Sequence, residues 1–333
     1  MSSLGAAWAT LPVAALLSLA ASAVLVVRIE RVAARLRFRE ALLGLVAALA
    51  ADGPEISSAV TAMIRGQRAI GVGVVLGSNV FNIAALLGLS TLRAGRIRLH
   101  RDVIVLAGAA SGAIALVSVG TATGVLAPGL GLGLGAAAFV PYVVLSALGP
   151  RAVARLPVAD GRGGRLARAV SDEEAELSAA LRPRPGGAVD GLVAGAALAV
   201  VIGAAAVMEA AAGTIGARYR VPEIVIGGLL LAAVTSLPNA VAAWYLAGRG
   251  RSSAVLSVAL NSNSLNVLFG LLGPAVLVGL AGYGTTGVLV ASWYAAMTAA
   301  ALVLAYRGRG LGRLSGAALV LGYLAFVVVV ARR

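Results

Sequence analysis

Apolar residues in this chain arrive in blocks of about 20, the length that carries a helix across the ~30 Å hydrocarbon core of a bilayer, and polar residues gather between the blocks. Ten blocks can be drawn, at residues 5–27, 41–64, 69–91, 102–121, 125–148, 190–211, 222–247, 253–280, 286–306 and 313–331. Their connections are short except one, residues 150–189. No block alternates apolar with polar positions as the strands of a membrane barrel do. The pattern predicts an all-α polytopic membrane protein of ten transmembrane helices. The first block lacks a basic leading segment and exceeds a signal-peptide core in length, so it is expected to remain as a span.

Two blocks break the apolar rule. The second contains Asp52-Gly-Pro-Glu55, although a charge at the bilayer centre costs roughly 2.5–3.5 kcal/mol on insertion scales. The seventh contains Thr235-Ser-Leu-Pro-Asn239. A shift of 184 positions lays one stretch on the other and continues without a gap. It aligns Pro54 with Pro238, Glu55 with Asn239, Arg65-Gly66 with Arg249-Gly250, Ser78-Asn79 with Ser262-Asn263, and Asn82 with Asn266. The matches fall on polar and helix-breaking residues, which shared hydrophobicity does not explain.

Five spans separate the copies, so the second must cross in the opposite sense. This predicts two inverted five-helix repeats with Pro-broken helices. The halves are 1–149, with its repeat at about 41–91, and 190–333, with its repeat at about 222–280, joined by the 150–189 loop. Inverted repeats meeting at interrupted helices near the midplane are a secondary-transporter arrangement, with the site at the repeat interface.

Composition agrees: 60% of the 333 residues are hydrophobic and 12% charged, about half the charge of a soluble domain. The net charge of +14 would point to nucleic acid in a soluble protein, but its placement points to a membrane. All 27 basic residues are arginine; assigning loops alternately to two sides puts 21 on one and six on the other. The positive-inside rule makes the rich side cytoplasmic, so both termini are expected outside the cytoplasm, in a multi-pass protein of the cell membrane. The expected partners are the lipid bilayer and inorganic cations, with no nucleic acid and no cofactor, and a monomer is compatible with all of this. The absence of cysteine removes disulfides, thiolate metal sites and thiol catalysis.

The polar residues inside the spans are oxygen donors. Pro54 and Pro238 cannot donate to the carbonyl one turn earlier, and unpaired carbonyls at membrane depth are tolerated only when buried in protein or lining a cavity. Carboxylates, hydroxyls, amide oxygens and carbonyls are what hard cations take. Ser78 and Asn82 stand at i and i+4 on one helix face, and Ser262 and Asn266 repeat the spacing. Asn79 and Asn263 are expected to serve helix packing. Outside these stretches little points to chemistry. Glu209, near a span's end, suits a structural hydrogen bond, Glu223 a helix N-terminus, and His100 an interfacial position. In the long loop, Ser171 and Glu174 fit a capping box, predicting a short helix that begins there; no Ca²⁺ loop of alternating ligands is present. An enzyme would need His, Cys or clustered carboxylates, and the spans supply only Asp52, Glu55 and Glu209.

These residues resemble the cation/Ca²⁺ antiporter superfamily, which includes the sodium/calcium exchangers. Its first repeat reads Gly-(Thr/Ile)-Ser-x-Pro-Glu, then Gly-Ser-Asn-(Ile/Val)-Phe-Asn; its second reads Gly-Thr-Ser-x-Pro-Glu, then Gly-Ser-Asn-Ile and a closing Asp or Asn. Here Pro54-Glu55 and Gly77-Ser-Asn-Val-Phe-Asn82 match. The resemblance implies an antiporter moving Ca²⁺ against Na⁺ or H⁺ by alternating access, with ligands at Glu55, Thr235, Ser236, Ser78, Asn82, Ser262 and Asn266. Three departures bear on the ion. The second glutamate is Asn239, the first-repeat Thr-Ser positions are Ala51 and Asp52, and Asn261 replaces the glycine of the second Gly-Ser-Asn. One carboxylate fewer suits Ca²⁺ less. Asp52, at i and i+3 to Glu55, restores the count, and two carboxylates that close on one helix favour a bound proton, making H⁺ a coupling candidate. The alternatives are a monovalent cation/proton antiporter and a non-transporting homologue.

Overall fold

The structure is a computed structural model that describes residues 4–36, 40–155, 164–165, 167–172, 184–248, 254–280 and 282–333. Among them, eight helices are long and apolar enough to cross a membrane. These are α1 (Leu4–Arg35), α4 (Arg68–Ala94), α5 (Arg101–Ala122), α6 (Pro128–Val153), α7 (Ala188–Tyr219), α10 (Val255–Val278), α11 (Gly284–Gly308) and α12 (Arg313–Ala331). The two blocks that carry the Pro motifs are each split in two: α2 (Glu40–Ala51) with α3 (Gly53–Ile64), and α8 (Glu223–Thr235) with α9 (Leu237–Gly248).

The breaks fall on Asp52 and Ser236, two residues before each proline. Pro54 and Pro238 therefore open the second half-helix, where a missing N–H is one of the unpaired donors anyway and the fixed φ suits the first turn. The two breaks have the same hydrogen bonds in the same register. Asp52 N donates to Ala48 O (2.9 Å) and Ile56 N to Asp52 O (2.9 Å); Ser236 N donates to Ala232 O and Ala240 N to Ser236 O, both 3.1 Å. The shift of 184 also carries α1 onto α7 and α3 onto α9 at both ends.

α4 and α10 form the centre and are nearly wholly buried. Both continue beyond their Ser-Asn motif through a wide π-type turn, Ile83–Leu89 in α4 and Asn266–Leu272 in α10. α3 lies against α4, α7 and α10, and α8 lies along α4. α1 and α7 pack along one another, and Arg28 and Arg31 of α1 both pair with Asp190 of α7, at 2.8 and 3.4 Å. The α4–α8 contact is backbone to backbone. A Cβ on Gly77 would lie 2.2 Å from Gly228 O, and one on Gly227 would lie 2.2 Å from Ile70 O, so only glycine fits at either position.

Two features differ from the sequence expectation. A two-stranded antiparallel ribbon pairs β1 (Arg96–Arg98) with β2 (Gly310–Gly312), tying two arginine-rich loops together. It needs Gly310, whose φ is +125° and whose missing Cβ makes room for Ile97 O. Within the long loop, Ser171 lies inside a helical stretch that precedes it, so the capping reading is corrected; Glu174 lies outside the described residues. Val170 and Ala167 of that stretch pack on Val153, with Leu106 and Leu145 alongside, and it is this apolar contact that sets the helix. Glu209 makes the structural hydrogen bond expected of it, accepting at Oε2 from Arg65 Nη1 at 2.5 Å in an ion pair, and Arg65 also donates to Ala206 O at 3.2 Å.

Candidate functional site

The two breaks bring four elements to one point. Asp52 is the residue at the α2–α3 break, and Glu55 stands one turn along α3; both are wholly buried. From α9, Asn239 donates its Nδ2 to Asp52 Oδ1 at 2.8 Å and to Glu55 Oε1 at 3.3 Å. From α10, Ser262 Oγ donates to the same Asp52 Oδ1 at 2.6 Å. Each carboxylate is left with one buried oxygen that has no hydrogen-bond partner, Asp52 Oδ2 and Glu55 Oε2. Among the described residues no arginine reaches either acid.

Behind the acids, α4 and α10 are joined by a two-fold asparagine lattice. Asn79 Nδ2 donates to Asn263 O, and Asn263 Nδ2 donates to Asn79 O, both at 3.0 Å. Asn82 Nδ2 donates to Asn263 Oδ1 at 3.1 Å, and Asn266 Nδ2 to Asn79 Oδ1 at 3.3 Å. Every bond has its image at the 184 shift. The packing role expected for Asn79 and Asn263 is thus visible. Because the Asn82 and Asn266 amides donate into this lattice, their oxygens point away from it, and both Oδ1 atoms are buried without a partner. Asn82 Nδ2 also approaches Ser262 Oγ at 3.3 Å.

The other candidates are arranged as oxygen acceptors. Ser78 Oγ donates to Val75 O at 3.0 Å, and Thr235 Oγ1 to Leu231 O at 2.9 Å, so each spends its proton on its own helix and keeps lone pairs free. Ser236 Oγ is buried with no partner. Pro54, Pro238 and Thr235 border one narrow cleft with Ser18 of α1 and Met208 of α7. Of the nine residues singled out, Asp52, Glu55, Asn239, Ser262 and Asn82 are linked by hydrogen bonds. Asn266 joins through Asn79. Ser78 and Thr235 flank them, and Ser236 stands beside the Glu55 carboxylate.

Sequence reasoning passed over Ser58 and Ser18, both buried with partnerless hydroxyls. Ser58 stands three residues after Glu55 on α3, on nearly the same face; that spacing was the available signal. Ser18 carried none, because a lone serine in an apolar helix reads as packing.

Buried carboxyl oxygens and partnerless amide and hydroxyl oxygens, with no arginine paired to them among the described residues, form a site that hard cations fit by donor type. No group of three or more His, Cys, Asp or Glu occurs among the described residues, so neutral oxygens supply most of the donors. The family described as sodium/calcium exchanger protein matches residues 6–148 and 191–332. The chain belongs to that family. The exchanger family's solved structures share its fold. The sodium-calcium exchanger NCX_Mj, soaked with 10 mM Na⁺ and zero Ca²⁺, superposes with a TM-score of 0.62 at 16% identity, over 98% of this chain and 99% of that one. The H⁺/Ca²⁺ exchanger CAX gives 0.69 at 14% identity, over 97% and 82%. No curated protein matches the sequence. As an exchanger-family member, the chain is a multi-pass membrane protein of the cation antiport class, with cations as its substrates.

Proposed function

We propose that the protein is a secondary cation antiporter that binds its cations between Asp52 and Glu55 of the first broken helix and Asn239, Ser262 and Asn266 from the second half, exchanging Ca²⁺ for Na⁺ or H⁺ across the cytoplasmic membrane by alternating access. The broken pairs α2/α3 and α8/α9 count as single spans in this reading, which makes ten spans in two inverted repeats. The shared 184 shift supports it: it relates α1 to α7, α3 to α9 and the asparagine lattice to itself. The arginine bias supports a cytoplasmic face where residues 28–40, 93–101, 150–189, 249–251 and 307–313 emerge.

The observation that carries the proposal is the pair of fully buried carboxylates with free oxygens and, among the described residues, no arginine paired with them. Two such charges in low dielectric need a positive partner, and only an incoming cation or proton provides it. Release on one side and rebinding on the other is then the function.

A second reading, a monovalent cation/proton antiporter, has an observation of its own. Asn239 puts an amide where the family's second repeat carries glutamate, and its Nδ2 sits between the two acids as a neutral donor. Both acids then come from the first half and the second half brings no charge of its own, an arrangement that suits a singly charged ion or a proton more than a Ca²⁺ site does. Flux into proteoliposomes decides between them. Ca²⁺ uptake driven by a Na⁺ or pH gradient and lost in Glu55→Gln supports the first reading. Na⁺/H⁺ exchange without Ca²⁺ movement, also lost in Glu55→Gln, supports the second. Flux in neither assay overturns both.

A further inference from the structure

α4 and α10 carry the same ligands at 78/82 and 262/266 but differ in the two turns before them. The 184 shift sets Gly73 against Ser257 and Gly77 against Asn261. On α4 these glycines touch α8. A Cβ at Gly73 would lie 2.6 Å from Ile224 O and 2.7 Å from Gly228 N, and one at Gly77 would lie 2.2 Å from Gly228 O. Two backbones in direct contact leave no room for water or an ion between them. The seam between α4 and α8 is therefore closed below the cavity of about 220 Å³ that Arg68, Val72, Ile224 and Tyr283 line where both helices begin.

On α10 the corresponding face holds side chains, and side chains bar the equivalent approach of α2. A cavity of about 470 Å³, lined by Leu45, Leu49, Phe139 and Leu268 among others, lies between α2, α6 and α10. Beside it, Asn261 Nδ2 donates to the Tyr142 hydroxyl of α6 at 2.9 Å. One turn from each along their helices stand Ser257 and Ser146, both buried, both with hydroxyls that lack a partner. Asn261 is next in the chain to Ser262, which reaches Asp52. Phe326, the 184-shifted counterpart of Tyr142, has no hydroxyl, so the first half has no matching polar contact.

A strip built only to hold helices together would bond its hydroxyls, since an unmet polar group in hydrocarbon is costly. Partnerless hydroxyls on both sides of one interhelical hydrogen bond fit a seam that opens to water. Such bonds in membranes are weak enough to break thermally. We propose that Ser257, Asn261, Tyr142 and Ser146 line the route by which cations pass between the site and the membrane face where α2 and α10 begin. The Asn261–Tyr142 hydrogen bond is its closing contact, and the α4–α8 glycine contact closes the opposite side. The proposal rests on the transport reading above.

The chain has no cysteine, so single cysteines report access directly. Ser257→Cys, Ser146→Cys and, as a buried apolar control one residue off the strip, Leu256→Cys are reconstituted and exposed on either side to a cationic, membrane-impermeant methanethiosulfonate. The strip cysteines should react at least tenfold faster than the control, and only from the arginine-rich face. Adding Tyr142→Phe, which keeps the ring and removes the hydrogen bond, should speed the Ser257→Cys reaction several-fold. A structural bond would instead lower stability and leave that rate unchanged. If the cysteine-free parent shows flux while both strip cysteines react no faster than Leu256→Cys from either side, the route is wrong. Absence of flux in the parent overturns the transport reading and the route together.

Discussion

Asp52 and Asn239 exchange the roles that the repeat assigns them. The acid missing from position 239 has its counterpart at position 52, one turn before Glu55 on the first broken helix, and the Asn239 amide lies between the two carboxylates. Restoring an acid at 239 should therefore add charge to a site already built of oxygen. Asn239→Asp is expected to tighten Ca²⁺ binding by at least tenfold, since ligand charge count tunes Ca²⁺ affinity; calorimetric titration of the detergent-solubilised protein reads it. Unchanged or weaker Ca²⁺ binding would mean that position 239 does not face the ion. Glu55→Gln, by contrast, should abolish Ca²⁺ binding in the same titration. The acids, hydroxyls and amides were legible from their spacing alone. That the Asn82 and Asn266 oxygens are the free ones was not, because it depends on which partner each amide nitrogen finds across the α4–α10 contact.

At the scale of elements, two contacts invite tests. Gly77 meets Gly228 backbone to backbone, so Gly77→Ala must push α4 away from α8. Overpacking of this kind typically costs about 1–3 kcal/mol, and a thermal-melt midpoint lower by several degrees is the expected readout; no change would mean that α8 moves aside freely. Arg65 and Glu209 join α3 to α7, with Glu209 buried and Arg65 half exposed. Removing the arginine strands a buried carboxylate, whereas Glu209→Gln removes the charge that needed it. Arg65→Ala should thus destabilise clearly more than Glu209→Gln, measured side by side by thermal melting. Equal losses would place the pair in solvent. The breaks themselves were foreseen, but from the prolines they were expected at Pro54 and Pro238. They fall at Asp52 and Ser236 because proline is accommodated in the first turn of the following helix, a preference that local sequence contains and that the hydropathy blocks do not resolve.

For the whole molecule, the arginine asymmetry and the 184 shift make one joint statement about orientation. Val125, in the loop between α5 and α6, is exposed, and Arg307 ends α11 among the arginine-rich loops. In intact cells an impermeant thiol reagent should modify Val125→Cys, and Arg307→Cys only after permeabilisation; the reverse pattern would invert the topology. A transported cation that binds only the folded chain should also raise its melting temperature. At a hundredfold excess over Kd the gain is about 2.7 kcal/mol, and it should vanish in Glu55→Gln. Hydrophobic block length was enough to assign a helical membrane protein, and the repeated Pro and Ser-Asn motifs to pick out residues that the fold brings together, because each is a local property of the chain. The β1–β2 ribbon, the helical stretch 167–172 packed on Val153, the glycine contact of α4 with α8 and the polar seam of α10 on α6 were decided only in three dimensions. Each depends on which surfaces meet, and a single glycine or asparagine at position 77 or 261 looks alike in the sequence until a partner backbone, or a tyrosine hydroxyl, stands opposite it.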